Sequence, residues 1–210
     1  MAANIDWEDI AVGEEMIYVA ETGNNGNARR DLGVYVIPEP NPRAVARTRA
    51  LKFIPFRYPE QEHFPAKQWH YDSEAMFVFD GTLYFLTKHR QPGEISAWEP
   101  GTNLYRLDTM RPDKFNTLTP VDSHQDVSLV TAADLSPDGE HLAILCYTNL
   151  WVFERPGEGD KWLSAPARMI PLQPGKTKQA EAVTWADKDT LIIGNEESEL
   201  FRVKLADMSD

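Results

Sequence analysis

Cysteine is nearly absent from this sequence, and that absence excludes an internal disulfide framework. The single thiol, Cys146, lies in the apolar run LAILCYT, so we expect it to be buried and inert, with a nucleophile as the alternative. No apolar run is long enough to cross a bilayer, and no basic region precedes an apolar one at the N-terminus. We therefore expect no membrane partner. A cytoplasmic location is expected for the chain as it stands, or a secreted or periplasmic one if an N-terminal segment is missing.

Basic residues are also scarce, because 21 Lys and Arg stand against 33 Asp and Glu, for a net charge of −12. That balance argues against nucleic acid as a partner, since phosphate binding requires dense Lys and Arg, and it favours a bound divalent cation. The P-loop, GxSxG, HExxH and CxxC patterns are missing too. We therefore expect no nucleotide cofactor, no hydrolase nucleophile elbow, no zinc-protease site and no dithiol redox site.

What the sequence does contain is an internal repeat. The segments WEDIAV (7–12), SEAMFV (73–78) and AEAVTW (180–185) align, and AADLSPDG (132–139) is a fourth copy. The aligned positions are Glu8, Glu74, Ala133 and Glu181. Each copy is followed by two more apolar runs of strand length. In the first three copies a further run contains proline, which is typical of an edge strand: ALKFIPF (50–56), NTLTPV (116–121) and ARMIPL (167–172).

Short strands in a repeating unit, with no stretch of helical periodicity, predict an all-β fold and specifically a β-propeller. A β-sandwich or irregular barrel is the alternative. We predict a single domain over 1–210 with four recognisable four-stranded repeats at about 6–58, 72–122, 131–173 and 179–205. The last repeat is incomplete, with three strands. Residues 1–5 either complete a compact closed ring, or the ring is open or partial and its exposed strand edges pair in a homodimer.

Four segments carry a resemblance to a known group: NIDWEDIAV, NGNARRDLGVYVIPEP, LVTAADLSPDG and QAEAVTW. They resemble a largely uncharacterised group of bacterial β-propeller proteins with kinship to esterase-like and phytase-like propellers, over nearly the whole chain. Members of that group carry a further N-terminal blade before the DWEDIA motif, which this sequence lacks. Where they read GDIGDN, this chain reads AETGNNGN, with Glu21 and Asn24 at the acidic positions.

A wider similarity is to gluconolactonase-type propellers, in which an inner-strand Glu helps to hold a divalent metal in the central channel. This resemblance implies Glu8, Glu74 and Glu181 as candidate ligands for Ca²⁺ or another divalent cation. The alternative is structural, with each Glu bonding backbone N–H groups or an Arg of a neighbouring blade.

Propeller geometry predicts where the polar residues gather, because the start of the first strand and the end of the second lie at the same end of the channel. The expected funnel is acidic, and a hard cation would relieve the repulsion between its carboxylates. Besides the three glutamates and Asn24, it includes Asp134 and the candidate ligand contacts Trp7, Asp9, Asp72, Glu21, Asn25, Lys88, Arg90, Tyr147, Asn195 and Glu196. Trp7 is expected at its floor. The long loop at 57–72 is expected to cap it.

Lys88, His89 and Arg90 form a basic triplet in an acidic protein. They are interpreted as solvated loop charge, as ion-pair partners of the carboxylates, or as a clamp for a phosphate or carboxylate substrate with His89 as candidate general base. Asp134 and Asp138 in ADLSPDG are expected to form a turn.

These residues and the predicted fold leave three functions open. The first is binding of a small ligand or partner through the acidic central funnel. The alternatives are divalent-metal-assisted hydrolysis of an ester, lactone or phosphoester, and assembly through exposed strand edges. The fold does not choose between them. Ala133 in the copy at 132–139 and the altered AETGNNGN loop favour binding without catalysis.

Overall fold

A computed structural model describes residues 2–13 and 15–208. It is 52% strand with almost no helix, and the remainder is turns and loops. Four sheets follow one another along the chain and are arranged as the blades of a small propeller, so the all-β propeller prediction is confirmed. The predicted domain bounds 1–210 include Met1, Glu14, Ser209 and Asp210, which lie outside the described residues.

Blade one contains β1 (Trp7–Gly13), β2 (Met16–Glu21), β3 (Gly33–Pro38) and β4 (Lys52–Arg57) in antiparallel order. Alternate side chains point to opposite faces of a strand, which divides the apolar residues of β1 between two surfaces. Ala11 is buried towards blade two, whereas Ile10 and Val12 are both 59% exposed.

Blade two is built on two long strands, β5 (Trp69–Phe79) and β6 (Thr82–Gln91), with a short β7 (Glu94–Trp98) paired to the end of β6. The expected fourth strand at 116–121 is divided in the structure. Two residues, β9 (Asn116–Thr117), pair in parallel with β4 of blade one, while β10 (Thr119–His124) forms the edge of blade two beside β8 (Thr102–Leu107). The buried side chain of Asn116 explains the division, because its amide donates to the carbonyl of Pro55 at 2.8 Å and so holds this segment against blade one.

Blade three is the regular four-stranded unit of β11 (Val130–Leu135), β12 (His141–Cys146), β13 (Asn149–Glu154) and β14 (Ala167–Pro171). Cys146 is fully buried in it, as expected, and burial raises the pKa of its thiol to about 12. Blade four has three strands in the described residues: β15 (Ala180–Asp187), β16 (Thr190–Asn195) and β17 (Leu200–Lys204).

Within the described residues, helix is limited to α1 (Pro174–Thr177) and two 3₁₀ turns, one at Trp162–Ser164 and one at Leu205–Asp207 after β17. None of the helices in the described residues is long and apolar enough to cross a membrane.

The core consists of three apolar clusters, one at each junction between successive blades, and none of the three joins blade four to blade one among the described residues. Two faces of each inner blade contribute to different clusters, as the period of two in a strand requires. In blade two, for example, Met76 and Phe85 face blade one, whereas Phe77 and Leu86 face blade three.

Two aspartates at the same position of the repeat hold the inner strands together. One carboxylate oxygen of Asp9 accepts the backbone N–H of Met76 at 2.8 Å and that of Ala133 at 3.3 Å, which links the inner strands of three blades. Asp134 accepts the backbone N–H of Trp185 at 2.9 Å. The expectation that Asp134 forms a turn is therefore wrong, because its carboxylate is used between blades three and four.

Candidate functional site

The polar centre of the propeller is a buried ion pair between Lys88 and Glu74, whose charged atoms lie 2.9 Å apart with side chains 2% and 6% exposed. Glu74 lies on the inner strand β5 and Lys88 on the neighbouring strand β6, so the hairpin of blade two presents both groups to the same side. A buried charge requires a partner of opposite sign, and Lys88 and Glu74 are partners of each other. Of the interpretations of the basic triplet, ion pairing with the carboxylates is the one that the contacts of Lys88 support.

Arg90 repeats the arrangement two residues further along β6. Its Nε donates to Asp72 at 3.1 Å and its Nη2 lies 3.4 Å from Glu74 and bonds the side-chain oxygen of Asn25. The backbone N–H of Asn24 donates to the other oxygen of Asp72. The structure thus brings together six of the predicted funnel residues: Asn24, Asn25, Asp72, Glu74, Lys88 and Arg90.

His89 lies between these cations in sequence but on the opposite face of β6, because side chains alternate along a strand. Its ring stacks on that of His70, with centroids 3.8 Å apart, and its Nδ1 lies 3.3 Å from the carbonyl oxygen of Pro100. A carbonyl only accepts, so Nδ1 carries the proton and Nε2 accepts from the hydroxyl of Thr87 at 3.1 Å. Both ring nitrogens therefore have protein partners, and the triplet does not act as one cluster.

A set of carboxyl groups adjoins the ion pairs where blade one meets blade two. Glu8 and Asp6 share a hydrogen bond. A Cβ at position 23 would overlap Glu8 Oε1 and the Asp6 carboxyl, so any residue larger than glycine would push these two side chains aside. Burial and the nearby charges of Glu74 and Asp72 raise the pKa of Glu8 to about 10. Glu8 is consequently protonated at neutral pH and serves as a hydrogen-bond donor.

The three glutamates expected to bind a divalent cation are not arranged to do so. Glu74 is held by Lys88 and Arg90, and Glu181 accepts the hydroxyl of Tyr147 at 2.8 Å. Within residues 2–13 and 15–208, no group of three Asp, Glu, His or Cys side chains is placed to coordinate an ion. The donor set does not fit a metal, because the charge that a cation would supply comes from the protein's own lysine and arginine.

Tyr147 connects this buried centre to a cavity of about 650 Å³. Its hydroxyl donates to Glu181 and accepts from Lys88 at 3.4 Å. Trp98, 37% exposed, lies edge-on to the Tyr147 ring, and the guanidinium of Arg90 sits 4.2 Å from the Trp98 ring centre. The cavity is lined by Trp98, Tyr147, Thr148, Pro174, Lys178, Gln179, Glu196 and Glu197.

The charges at the cavity rim are unequally partnered. Lys178 is paired with Glu197 and Glu199. Glu196 is exposed, and in the described part of the chain its side chain has no ion-pair partner within 4 Å. Asn195 organises this loop by accepting the backbone N–H groups of Glu197 and Glu199. Glu196 therefore supplies an unpaired carboxylate to a cavity that Trp98 and Tyr147 also line.

Other predicted contacts serve the scaffold. Glu21 accepts the backbone N–H groups of Ile5 and Asp6 and pairs with Arg29 at 2.9 Å. Trp7 is 41% exposed and its ring lies edge-on to Tyr35 of β3.

The loop expected to cap the funnel is anchored elsewhere. Asn27 accepts the side-chain amide of Gln61 and the backbone N–H groups of Ala66 and Tyr71. The end of the predicted loop, from Trp69, belongs to β5. This segment consequently packs on the β2–β3 connection of blade one.

Sequence reasoning missed Trp98, Asp6 and His70. Trp98 lies on β7, a strand that the repeat pattern did not contain, and its contact with Tyr147 joins blades two and three. His70 pairs with Glu99 at 2.7 Å as well as stacking on His89. No spacing in the sequence signals either contact, although Asp6 directly precedes the repeat motif.

Known proteins resemble this chain in fold. No protein-family model matches the chain, and no curated protein matches it. The chain is similar to solved β-propeller structures of several roles.

One of these structures is a candidate 6-phosphogluconolactonase from Bacteroides uniformis, at 12% identity and a TM-score of 0.47, covering 93% of this chain and 52% of that one. Another is Sqt1 from Chaetomium thermophilum, at 13% identity and a TM-score of 0.46, covering 96% and 44%; Sqt1 has also been solved bound to the N-terminus of the ribosomal protein L10. The C-terminal WD40 domain of Sif2 matches at 10% identity and a TM-score of 0.36, covering 98% and 48%.

The chain thus spans about half the length of these structures. At such identities the similarity concerns the fold alone.

Proposed function

We propose that this protein is a binding propeller whose funnel cavity accepts a cationic group, carried by a small ligand or by a peptide partner. The observation that carries the proposal is that the unpaired carboxylate of Glu196 lines the same cavity of about 650 Å³ as Trp98 and Tyr147. That volume lies within the range of about 300–1,000 Å³ typical of ligand sites.

The recognition chemistry is that of an ammonium or guanidinium group. Aromatic faces attract cations, by about 0.5–2 kcal/mol according to exposure, and a carboxylate adds a charge-assisted hydrogen bond. Deeper in the protein, Lys88 neutralises Glu74, and Tyr147 gives Glu181 a hydrogen-bond donor. The net charge of −12 further favours a cationic ligand over an anionic one.

Calorimetric titration with Nα-acetyl-lysine amide tests this function. The neutral isostere Nα-acetyl-norleucine amide is titrated as the comparison compound. We expect saturable binding of the lysine compound, weakened by Glu196→Gln and by Trp98→Leu. Glu158→Gln, which removes an exposed carboxylate in the loop after β13, is the matched control and should bind as the unaltered protein does. Equal binding of both compounds would overturn the proposal. If a lysine-rich peptide bound and Nα-acetyl-lysine amide did not, the cationic group would be that of a peptide partner.

A second candidate function, assembly through blade one, is favoured by the apolar face of β1 that turns away from blade two. Ile10 and Val12 are each 59% exposed and Trp7 is 41% exposed, and a contiguous exposed apolar patch is typical of a protein-interaction surface. The occupant we propose is a second copy of this chain. Within one copy each blade packs onto the next, and a second copy offers the free face of its blade four to the free face of blade one.

Light scattering across a concentration series tests the assembly. Ile10→Asp should shift a dimer to monomer, whereas Ile95→Asp, at a residue 53% exposed on β7, should not. A monomer at every concentration would contradict this second function.

A further inference from the structure

A second cavity, of about 290 Å³, lies between the β2–β3 connection, the end of β4 and the loop before β5. It is separate from the funnel and is built partly by the long loop that follows Arg57. Its lining residues are Arg29, Arg30, Leu32, Phe56, Arg57, Gln61, Phe64 and Phe115. Three of the eight are arginines and none is acidic, in a protein whose net charge is −12.

The three arginines differ in how their charge is balanced. Arg29 is paired with Glu21 and Asp31 at 2.9 and 3.0 Å, so its charge is balanced internally. Arg30 and Arg57 are exposed, and among the residues that the structure describes neither has a carboxylate within ion-pair distance. The Arg57 side chain donates to the hydroxyl of Thr117 at 3.2 Å, and Arg30 lies 4.0 Å from the ring centre of Phe64.

The body of the cavity is apolar. Leu32 and Phe56 are buried at 2% and 1% exposure and form its inner wall. Phe115 is 52% exposed at the rim, although a phenylalanine normally packs inside. The Gln61 side chain is fixed by its bond to the carbonyl of Asn27, so the loop that carries Phe64 is held in place.

We propose that this cavity binds a small organic anion, specifically a carboxylate attached to a flat aromatic body. The guanidinium groups of Arg30 and Arg57 receive the carboxylate, because a guanidinium presents paired N–H donors that match its two oxygens. The phenylalanine rings and Leu32 cover the aromatic body. A site lined by one sign of charge also concentrates the counter-charged ligand within a protein that otherwise repels anions.

Calorimetric titration with 2-naphthoate tests the site, with 2-naphthamide as the neutral isostere and inorganic phosphate as the anion without an apolar body. We expect saturable binding of 2-naphthoate that is at least about tenfold tighter than that of either comparison compound. Arg30→Gln and Arg57→Gln should each weaken it about tenfold, and Phe115→Ser should weaken it as well. All three side chains are exposed, so the variants should keep the unaltered far-ultraviolet circular dichroism and melting temperature.

Arg47→Gln is the matched control, since Arg47 is an exposed arginine in the β3–β4 connection outside the cavity. It should leave the affinity unchanged. The site is overturned if 2-naphthoate shows no saturable binding, or if Arg47→Gln weakens it as much as Arg30→Gln does. If 2-naphthamide bound as tightly as 2-naphthoate, the proposed role of the arginines would be overturned. If phosphate bound as tightly as 2-naphthoate, the proposed role of the apolar wall would be overturned.

Discussion

Lys88 Nζ lies 2.9 Å from Glu74 Oε2, with both side chains almost fully buried. Lys88→Met removes this cation and, among the residues that the structure describes, leaves Glu74 with the longer ion pair to Arg90, at 3.4 Å. Because an uncompensated buried charge is strongly destabilising, the free energy of unfolding should fall by about 3–5 kcal/mol, measured by guanidinium denaturation.

Two further variants separate this effect from a general loss of charge. Lys178→Met breaks an exposed pair and should cost only about 0–1 kcal/mol. Replacing both partners, as Lys88→Met with Glu74→Met, should recover much of the loss, since no charge is then left unpaired. A cost below about 1 kcal/mol for Lys88→Met alone would show that the pair is not buried in solution.

Asp9 connects three blades through one carboxylate, so Asp9→Ala should destabilise the whole propeller. The backbone N–H groups of Met76 and Ala133 would lose their acceptor, at about 1–3 kcal/mol for each unsatisfied group. Asp9→Asn keeps an acceptor oxygen and should cost less. Hydrogen exchange at those two amides is the local measurement. Asp126→Ala, at an exposed aspartate, should change neither stability nor exchange.

The pH dependence of stability should report on Glu8. The pKa of Glu8 is raised to about 10 in the folded protein, against an ordinary value of 4.5, so the folded state holds a proton that the unfolded state releases. The stabilisation is therefore complete below about pH 4.5 and is lost as the pH rises through about 10. Burial raises the pKa of Asp9 to about 8 and that of Asp72 to about 7, which acts in the same direction.

Between about pH 6 and 9.5 we thus expect the melting temperature to fall. Glu8→Gln should flatten that decline and raise the melting temperature at about pH 9, where each kcal/mol corresponds to about 2–4 °C in a chain of this size. Glu62→Gln, at an exposed glutamate, should follow the unaltered curve. Identical curves for Glu8→Gln and the unaltered protein would show that Glu8 is ionised when folded.

Native mass spectrometry with Ca²⁺, Mg²⁺, Mn²⁺ and Zn²⁺ tests the expected metal site. Because Lys88 and Arg90 hold Glu74 and Tyr147 holds Glu181, we expect no stoichiometric adduct that depends on these glutamates. A stoichiometric adduct abolished by both Glu74→Gln and Glu181→Gln would establish the site and restore the hydrolase alternative. Glu158→Gln is the control for non-specific adducts.

The sequence by itself determined the propeller. Strand periodicity and the recurring inner-strand motif are local properties, so they predicted four blades, the three-stranded last blade and the burial of Cys146. The motif alignment also placed Asp9 and Asp134 at one position, where the structure finds both used between blades.

Only the tertiary structure decided how the polar groups pair. Lys88, His89 and Arg90 are adjacent in sequence, yet alternation along β6 sends His89 to His70 and the two cations to Glu74 and Asp72. Trp98 of blade two and Glu196 of blade four line one cavity. Arg30 of the β2–β3 connection and Arg57 at the end of β4 line another. The packing of the blades and the paths of the loops decide which residues become neighbours, and no local spacing in the sequence encodes either. Electrostatic pairing depends on the distance between groups in space and not on their separation along the chain.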